Sequence, residues 1–225
     1  MSNVLKLVRM SYLNLINFKR STLILIISYI PLVLIFPLMV SLVVFIACYS
    51  ITILIMTNEE NSEIDTLISY VPVRKSEYVL SRYLLVLINL LSGILLFTVY
   101  YILIYLMKTY INDLSINQTL FDVTLNMKNY LFLLIYGVLI SVLTVSIAIP
   151  FKFKFKKVGR FFDGIAGAIL GASLSFLINF KQDMSSGNFN FSNFDLILYT
   201  VISGFIIIFI SYILSIKIYK KKELL

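Results

Sequence analysis

Apolar residues along this chain come in long blocks separated by short polar clusters, and the lengths of the blocks set the architecture. No charged side chain stands between Arg82 and Lys108, between Lys128 and Lys152, between Asp163 and Lys181, or between Asp195 and Lys217. A helix needs about 20 apolar residues to cross the hydrocarbon core of a bilayer, so each block predicts one crossing. The uncharged stretch between Arg20 and Glu59 is too long for one. It carries Pro31 and Pro37, which disrupt a helix interior, and it reads as two crossings with a tight turn near Phe36-Pro37. The predicted fold is all-α: a polytopic membrane protein with six transmembrane helices in one transmembrane domain, residues 1–225. Spans one and two occupy 21–56, span three 83–107, span four 129–149, span five 161–180 and span six 194–217. Residues 196–216 contain fourteen Leu, Ile, Val or Phe. At about −0.3 to −0.6 kcal/mol each, they favour insertion by roughly 4–8 kcal/mol.

The segments outside the spans have patterns of their own. Within residues 1–20 an amphipathic helix is predicted from residue 3 onward. Val4, Val8, Tyr12, Leu15 and Ile16 share one face; Lys6, Arg9, Asn17 and Arg20 share the other. Such a helix lies in the membrane interface, either as an anchor that orients span one or as an elbow that also touches a cytoplasmic partner. In residues 57–82, Glu59, Glu60, Glu63 and Asp65 crowd the start of a short helical pattern, where acids suit the positive end of the helix dipole. Ile64, Leu67, Ile68 and Val71 follow as one apolar stripe. Pro72 ends the pattern, and Ser76 is placed to cap a new helix running through Tyr78, Val79, Arg82 and Tyr83 into span three. The stripe needs a partner in lipid, in the rest of the chain or in another protein; its acids would repel anionic lipid, which favours a protein partner, with a self-packed loop as the alternative. Residues 150–160 alternate Phe with Lys, so Lys152, Lys154, Lys156, Lys157 and Arg160 read as interface anchors for anionic headgroups, or as a second docking point. Span five carries small residues at helical spacing: Gly164, Gly167, Ala168, Gly171 and Ala172. They allow close helix approach, within the chain or in a dimer.

Charge distribution adds the orientation. Of the 19 Lys and Arg, all but Lys108, Lys128 and Lys181 fall in the terminal segments and even-numbered loops. Basic residues stay on the cytoplasmic side, so both termini are expected there. The net charge of +8 follows from that rule and gives no reason to expect nucleic acid as a partner. No cleavable signal peptide is expected, because the first residues are charged and no small-residue cleavage site follows the first apolar run. The single Cys48 lies mid-span, which leaves no disulfide. The chain has no His, which removes His-based metal sites, Ser-His dyads and haem ligands. Gly159 and Gly164 have the spacing of a phosphate loop, but Ile165 and Ala166 follow where Lys and Ser/Thr belong. The spans hold no central charge of the kind that ion- and proton-coupled transporters keep in their paths. If the chain transports anything, its energy source is expected on another polypeptide, and the chain itself is not expected to be an enzyme. The Lys, Ile, Asn, Tyr and Phe bias points to an AT-rich bacterial genome.

The stretch from Glu60 through Asp65, Leu67, Pro72, Val73, Arg74, Ser76, Glu77, Tyr78, Val79, Leu80, Ser81, Arg82 and Tyr83 resembles the cytoplasmic loop between spans two and three of ABC-2 type transporter permease subunits. The six-span layout, amphipathic N-terminal helix and small size agree with that resemblance. It implies two permease chains, identical or paired, above two cytoplasmic ABC ATPase subunits that carry ATP and Mg. It makes the short helix of 57–82 a cytoplasmic coupling helix that seats in a groove of the ATPase. Glu60, Glu63, Asp65, Leu67 and Ile68 would then contact the ATPase, Pro72 would close the coupling helix, and Arg74, Glu77 and Arg82 would brace the loop against its own span. Size and style are also similar to small Gram-positive exporters of amphipathic peptides, the staphylococcal phenol-soluble modulin exporters among them. That likeness implies export of an amphipathic or hydrophobic substrate across a bacterial cytoplasmic membrane. The competing expectations are an ATP-independent channel or secondary transporter, and a peptide-immunity membrane protein.

Overall fold

The computed structural model describes residues 3–16, 40–61, 73–111, 127–155, 164, 167–169, 171–172 and 193–221. Five continuous helices run through them: α1 (Asn3–Ile16), α2 (Val40–Asn61), α3 (Lys75–Ile111), α4 (Met127–Lys154) and α5 (Asn193–Lys221). Residues 164, 167–169 and 171–172 are helical as well. Apolar side chains surround α2 to α5 on every side, the signature of helices whose backbone must satisfy its own hydrogen bonds away from water. Among the described residues three stretches are long and apolar enough to cross a membrane: Lys75–Leu103, Tyr130–Lys154 and Val201–Lys221. They fall where spans three, four and six are expected. Ser41–Thr57, within α2, is apolar but shorter and falls where span two is expected. Span one and most of span five lie outside the described residues.

Three helix boundaries differ from the sequence reading: α2 runs on to Asn61, taking in the Glu59 and Glu60 expected to start the next helix, and two others differ for local reasons. The helix leading into span three starts at Lys75, so Ser76 sits inside it and Arg74 takes the capping position. The Glu77 N–H donates to the Arg74 carbonyl at 2.9 Å, and the Arg74 N–H donates to Glu77 Oε2 at 3.2 Å. The acid three residues into the helix thus closes half of a capping box back onto the residue before it. At the other boundary, α4 runs through Pro150 to Lys154 instead of ending at 149. A proline there cannot donate to the carbonyl four residues back, that of Ser146. The hydroxyl of Ser211 on α5 donates to that carbonyl at 2.6 Å, which supplies the missing bond from a neighbouring helix.

The bundle centres on α2. A Cβ added to Gly137 of α4 would stand 2.2 Å from the Ser41 carbonyl oxygen, and one on Gly93 of α3 would stand 3.0 Å from that of Val44. Glycine at these two positions lets α3 and α4 approach the α2 backbone more closely than any side chain would permit. Val43, Val44, Phe97, Tyr100 and Leu133 form the buried cluster around this crossing. A second cluster joins Cys48 and Met56 of α2 with Tyr78, Val79, Tyr83 and Val86 of α3 and Val145, Ile149 and Phe153 of α4. The first helix, α1, turns its inward stripe toward the protein: Val8 and Ser11 are buried and Lys6, Arg9 and Leu13 are exposed.

Candidate functional site

The α2–α3 connection, residues 62–72, lies outside the described residues, but both helices that carry it are described. Glu59 stands in the last turn of α2 and Arg82 in the second turn of α3. Glu59 is therefore at the negative end of a helix, not the positive end at which the sequence pattern placed it, and its charge is compensated by an ion pair instead. Arg82 Nη1 donates to Glu59 Oε1 at 2.6 Å and to Ser11 Oγ of α1 at 2.8 Å. The Ser11 hydroxyl lies 2.7 Å from the same Glu59 oxygen and 3.0 Å from the Leu7 carbonyl. Glu59 and Arg82 are 2% and 3% exposed. Removing water from either charge alone costs several kcal/mol, and breaking such a pair costs about 3–5 kcal/mol because it strands the partner. One helical turn earlier on the same face, the Tyr78 ring lies 4.5 Å from the Arg82 guanidinium carbon, a cation–π contact that strengthens where water is excluded.

Three further polar connections surround this pair. Lys152 Nζ of α4 donates to the Met56 carbonyl of α2 at 2.7 Å, bringing a cation to the carboxyl end of that helix. Tyr12 of α1 donates to Asn89 Oδ1 of α3; Asn89 Nδ2 donates to Thr52 Oγ1 at 3.0 Å, and Thr52 donates to the Cys48 carbonyl at 2.6 Å. Burial pushes the Tyr12 phenol up to about 12, so it keeps the proton it donates. On another face of α3, Tyr83 meets Ser211 at 2.5 Å and Ser215 at 2.8 Å. Ser211 commits its only proton to the Ser146 carbonyl. Tyr83 therefore donates to Ser211 and accepts from Ser215, which orders the chain from Ser215 through Tyr83 and Ser211 to Ser146. Tyr78 also packs against Phe153 and Tyr219, with ring centroids 6.0 and 5.4 Å away. The opening turns of α3, residues 78–83, thus touch α1, α2, α4 and α5.

The expected coupling residues divide among these positions. Arg82 is the buried centre of the network, Glu77 caps α3, and Arg74 is exposed at that cap. Glu60 lies in the last turn of α2. Glu63, Asp65, Leu67, Ile68 and Pro72 lie outside the described residues. Of the expected interface anchors, Lys154 is exposed and Lys152 is half-buried against α2; Lys156, Lys157 and Arg160 lie outside the described residues. Gly164, Gly167, Ala168, Gly171 and Ala172 are exposed, and no heavy atom of the described residues stands within 4 Å of a Cβ added to any of the three glycines. Ile169 beside them packs inward against the cluster of Leu42, Phe45, Tyr49 and Ile140.

Sequence reasoning missed the partner of Arg82, the part played by Ser11, and the bond that Ser211 supplies. Each had a signal. Ser11 is a hydroxyl inside the apolar stripe of α1, Glu59 ends an otherwise uncharged run, and Pro150 implies an orphaned carbonyl at Ser146. Among the described residues no group of three His, Cys, Asp or Glu is placed to hold a metal ion. The arrangement is suited to mechanical linkage: it ties both stems of the 62–72 segment to one another, to the N-terminal helix and to α4.

A family model described as ABC-2 family transporter protein matches residues 7–220. No curated protein and no solved structure matches the chain.

Proposed function

From the premise that this chain belongs to the ABC-2 transporter family, we propose that it is the membrane permease of an ATP-driven exporter whose cytoplasmic ABC ATPase docks beneath α2 and α3. Membership makes it a multi-pass membrane transport subunit, and its family implies a separate ATPase partner. The observation that carries the docking site is the buried Glu59–Arg82 pair, which holds together the two stems of the 62–72 segment. A segment with such stems can take a push from below. In this reading Glu60, Glu63, Asp65, Leu67 and Ile68 contact the ATPase, Pro72 closes the coupling helix, and Arg74 and Glu77 hold the start of α3. ATP and Mg reside on the partner. Both termini face the cytoplasm, in accord with the basic residues that crowd the terminal segments.

The small residues of span five support a second permease chain in the complex. Gly164 and Gly167 are exposed among the described residues, and small residues at helical spacing suit close approach by another helix. The absence of a fixed charge in the apolar blocks suits an amphipathic peptide or other hydrophobic substrate, moved out of a bacterial cell in the manner of the phenol-soluble modulin exporters. Lys154, Lys156, Lys157 and Arg160 anchor the inner face at anionic headgroups.

The test is gentle purification of the tagged chain from its native membrane, followed by assay for vanadate-sensitive ATP hydrolysis. A co-purifying soluble ATPase is expected, and Glu63→Lys with Asp65→Lys is expected to remove it while the permease stays in the membrane. A chain that carries no ATPase under conditions that preserve membrane complexes would instead favour a stand-alone channel or an immunity protein.

A further inference from the structure

We propose that Glu59 and Arg82 are positioning residues that make α2 and α3 move as one body, and that Ser11 and Tyr12 bind α1 to it. The inference rests on the permease reading above for its mechanical purpose, though not for its test. Adjacent residues on one turn of α1 reach two separate buried networks. Ser11 joins the ion pair, and Tyr12 joins Asn89 and, through it, Thr52. One network sits at the foot of α2 and α3 and the other deeper, between Thr52 and Asn89. The charge-assisted bonds of Ser11 are the stronger attachment, and the Tyr12–Asn89 bond at a different depth restrains pivoting about it.

The link from this body to α5 differs in kind. No ion pair crosses it among the described residues. The bonds there run between hydroxyls, Tyr83 with Ser211 and Ser215, and can exchange partners when the helices slide. Hydrogen bonds between uncharged groups of membrane helices are weak, whereas breaking the buried charge pair leaves a charge without its partner. A displacement delivered to residues 62–74 therefore carries α1, α2 and α3 together and is taken up where α3 meets α5. That contact is also where an apolar cleft opens between Val86 and Leu90 of α3, Val145 and Ile149 of α4, and Ile208 of α5.

Spin labels can test this in the purified complex. One pair, Leu13→Cys with Leu80→Cys, spans α1 and α3; both sites are exposed. The other pair, Leu80→Cys with Lys220→Cys, spans α3 and α5. Cys48 is fully buried and will not compete for label. With ATP and vanadate, the first distance is expected to change by less than about 1 Å and the second by more than about 2 Å, the size of helix shifts in switching proteins. Glu59→Gln is expected to broaden the first distribution and to cut the population that makes the nucleotide-driven change in the second by about fivefold, the lower end of couplings between sites. Glu59→Asp, which keeps the charge, is expected to behave as the parent does. A first distance that moves with nucleotide as far as the second would overturn the proposal without any variant. So would a Glu59→Gln protein like the parent, or a Glu59→Asp protein as broad as Glu59→Gln. If no ATPase accompanies the chain, the permease reading fails. The nucleotide-free first distance, compared between parent, Glu59→Gln and Glu59→Asp, still decides whether the charge pair binds α1 to α3.

Discussion

Pro150 and Ser211 make a matched pair whose energetic link can be measured. Pro150 leaves the Ser146 carbonyl without its helical donor, and Ser211 supplies one at 2.6 Å from α5. Both serines are buried, at 8% and 5% exposure. Ser211→Ala removes that donor and one partner of Tyr83, which retains Ser215 at 2.8 Å. An orphaned carbonyl in an apolar surrounding costs about 1–3 kcal/mol, while measured interhelical bonds in membranes reach at most about 1.7. The expected destabilisation is thus about 1.5 kcal/mol. Pro150→Ala restores an N–H in register with the Ser146 carbonyl. In that background Ser211→Ala loses only its bond to Tyr83, at about 0.6 kcal/mol. The double-mutant cycle should therefore show a coupling of about 1 kcal/mol, well beyond the roughly 0.3–0.5 within which independent sites add. Unfolding of the four proteins in bicelles, followed by steric trapping or by denaturant titration, would measure it. Equal costs of Ser211→Ala in the two backgrounds would refute the account of the carbonyl.

Two other substitutions examine the packing of α2. Gly137→Ala places a methyl group 2.2 Å from a backbone oxygen that cannot rotate away, so the crossing must open and about 1–3 kcal/mol should be lost despite the better helix propensity of alanine. Gly204→Ala meets no heavy atom of the described residues within 4 Å and should leave the same melting curve unchanged or raised. Lys152→Leu removes the donor to the Met56 carbonyl and should cost about 1 kcal/mol in thermal stability. Lys154→Gln, at an exposed site, should stay within about 0.5 kcal/mol. Equal losses from the two lysines would mean that Lys152, like its neighbour, acts only at the headgroups.

The apolar blocks determined by themselves that this chain enters a membrane, because insertion depends on composition summed along a helix and needs no knowledge of neighbours. Three of the expected spans have counterparts in α3, α4 and α5 for that reason. The stretch from Pro72 to Tyr83 also carried its own signal: Arg82 stood out as a charge at the edge of a long apolar run. Its partner did not. Glu59 is 23 residues away and Ser11 is 71, and no periodicity joins such positions. The same acid looked suited to a helix start, since a local pattern shows that acids cluster but not which helix they end. Small residues mislead in a similar way. The glycines of span five made the more visible stripe, yet the close contacts in the described bundle are made by Gly93 and Gly137, which no stripe announces. Spacing along a helix shows which residues share a face. Only the packed bundle decides what that face meets, and so whether a lysine reaches a headgroup or a carbonyl, and whether a buried charge is neutralised.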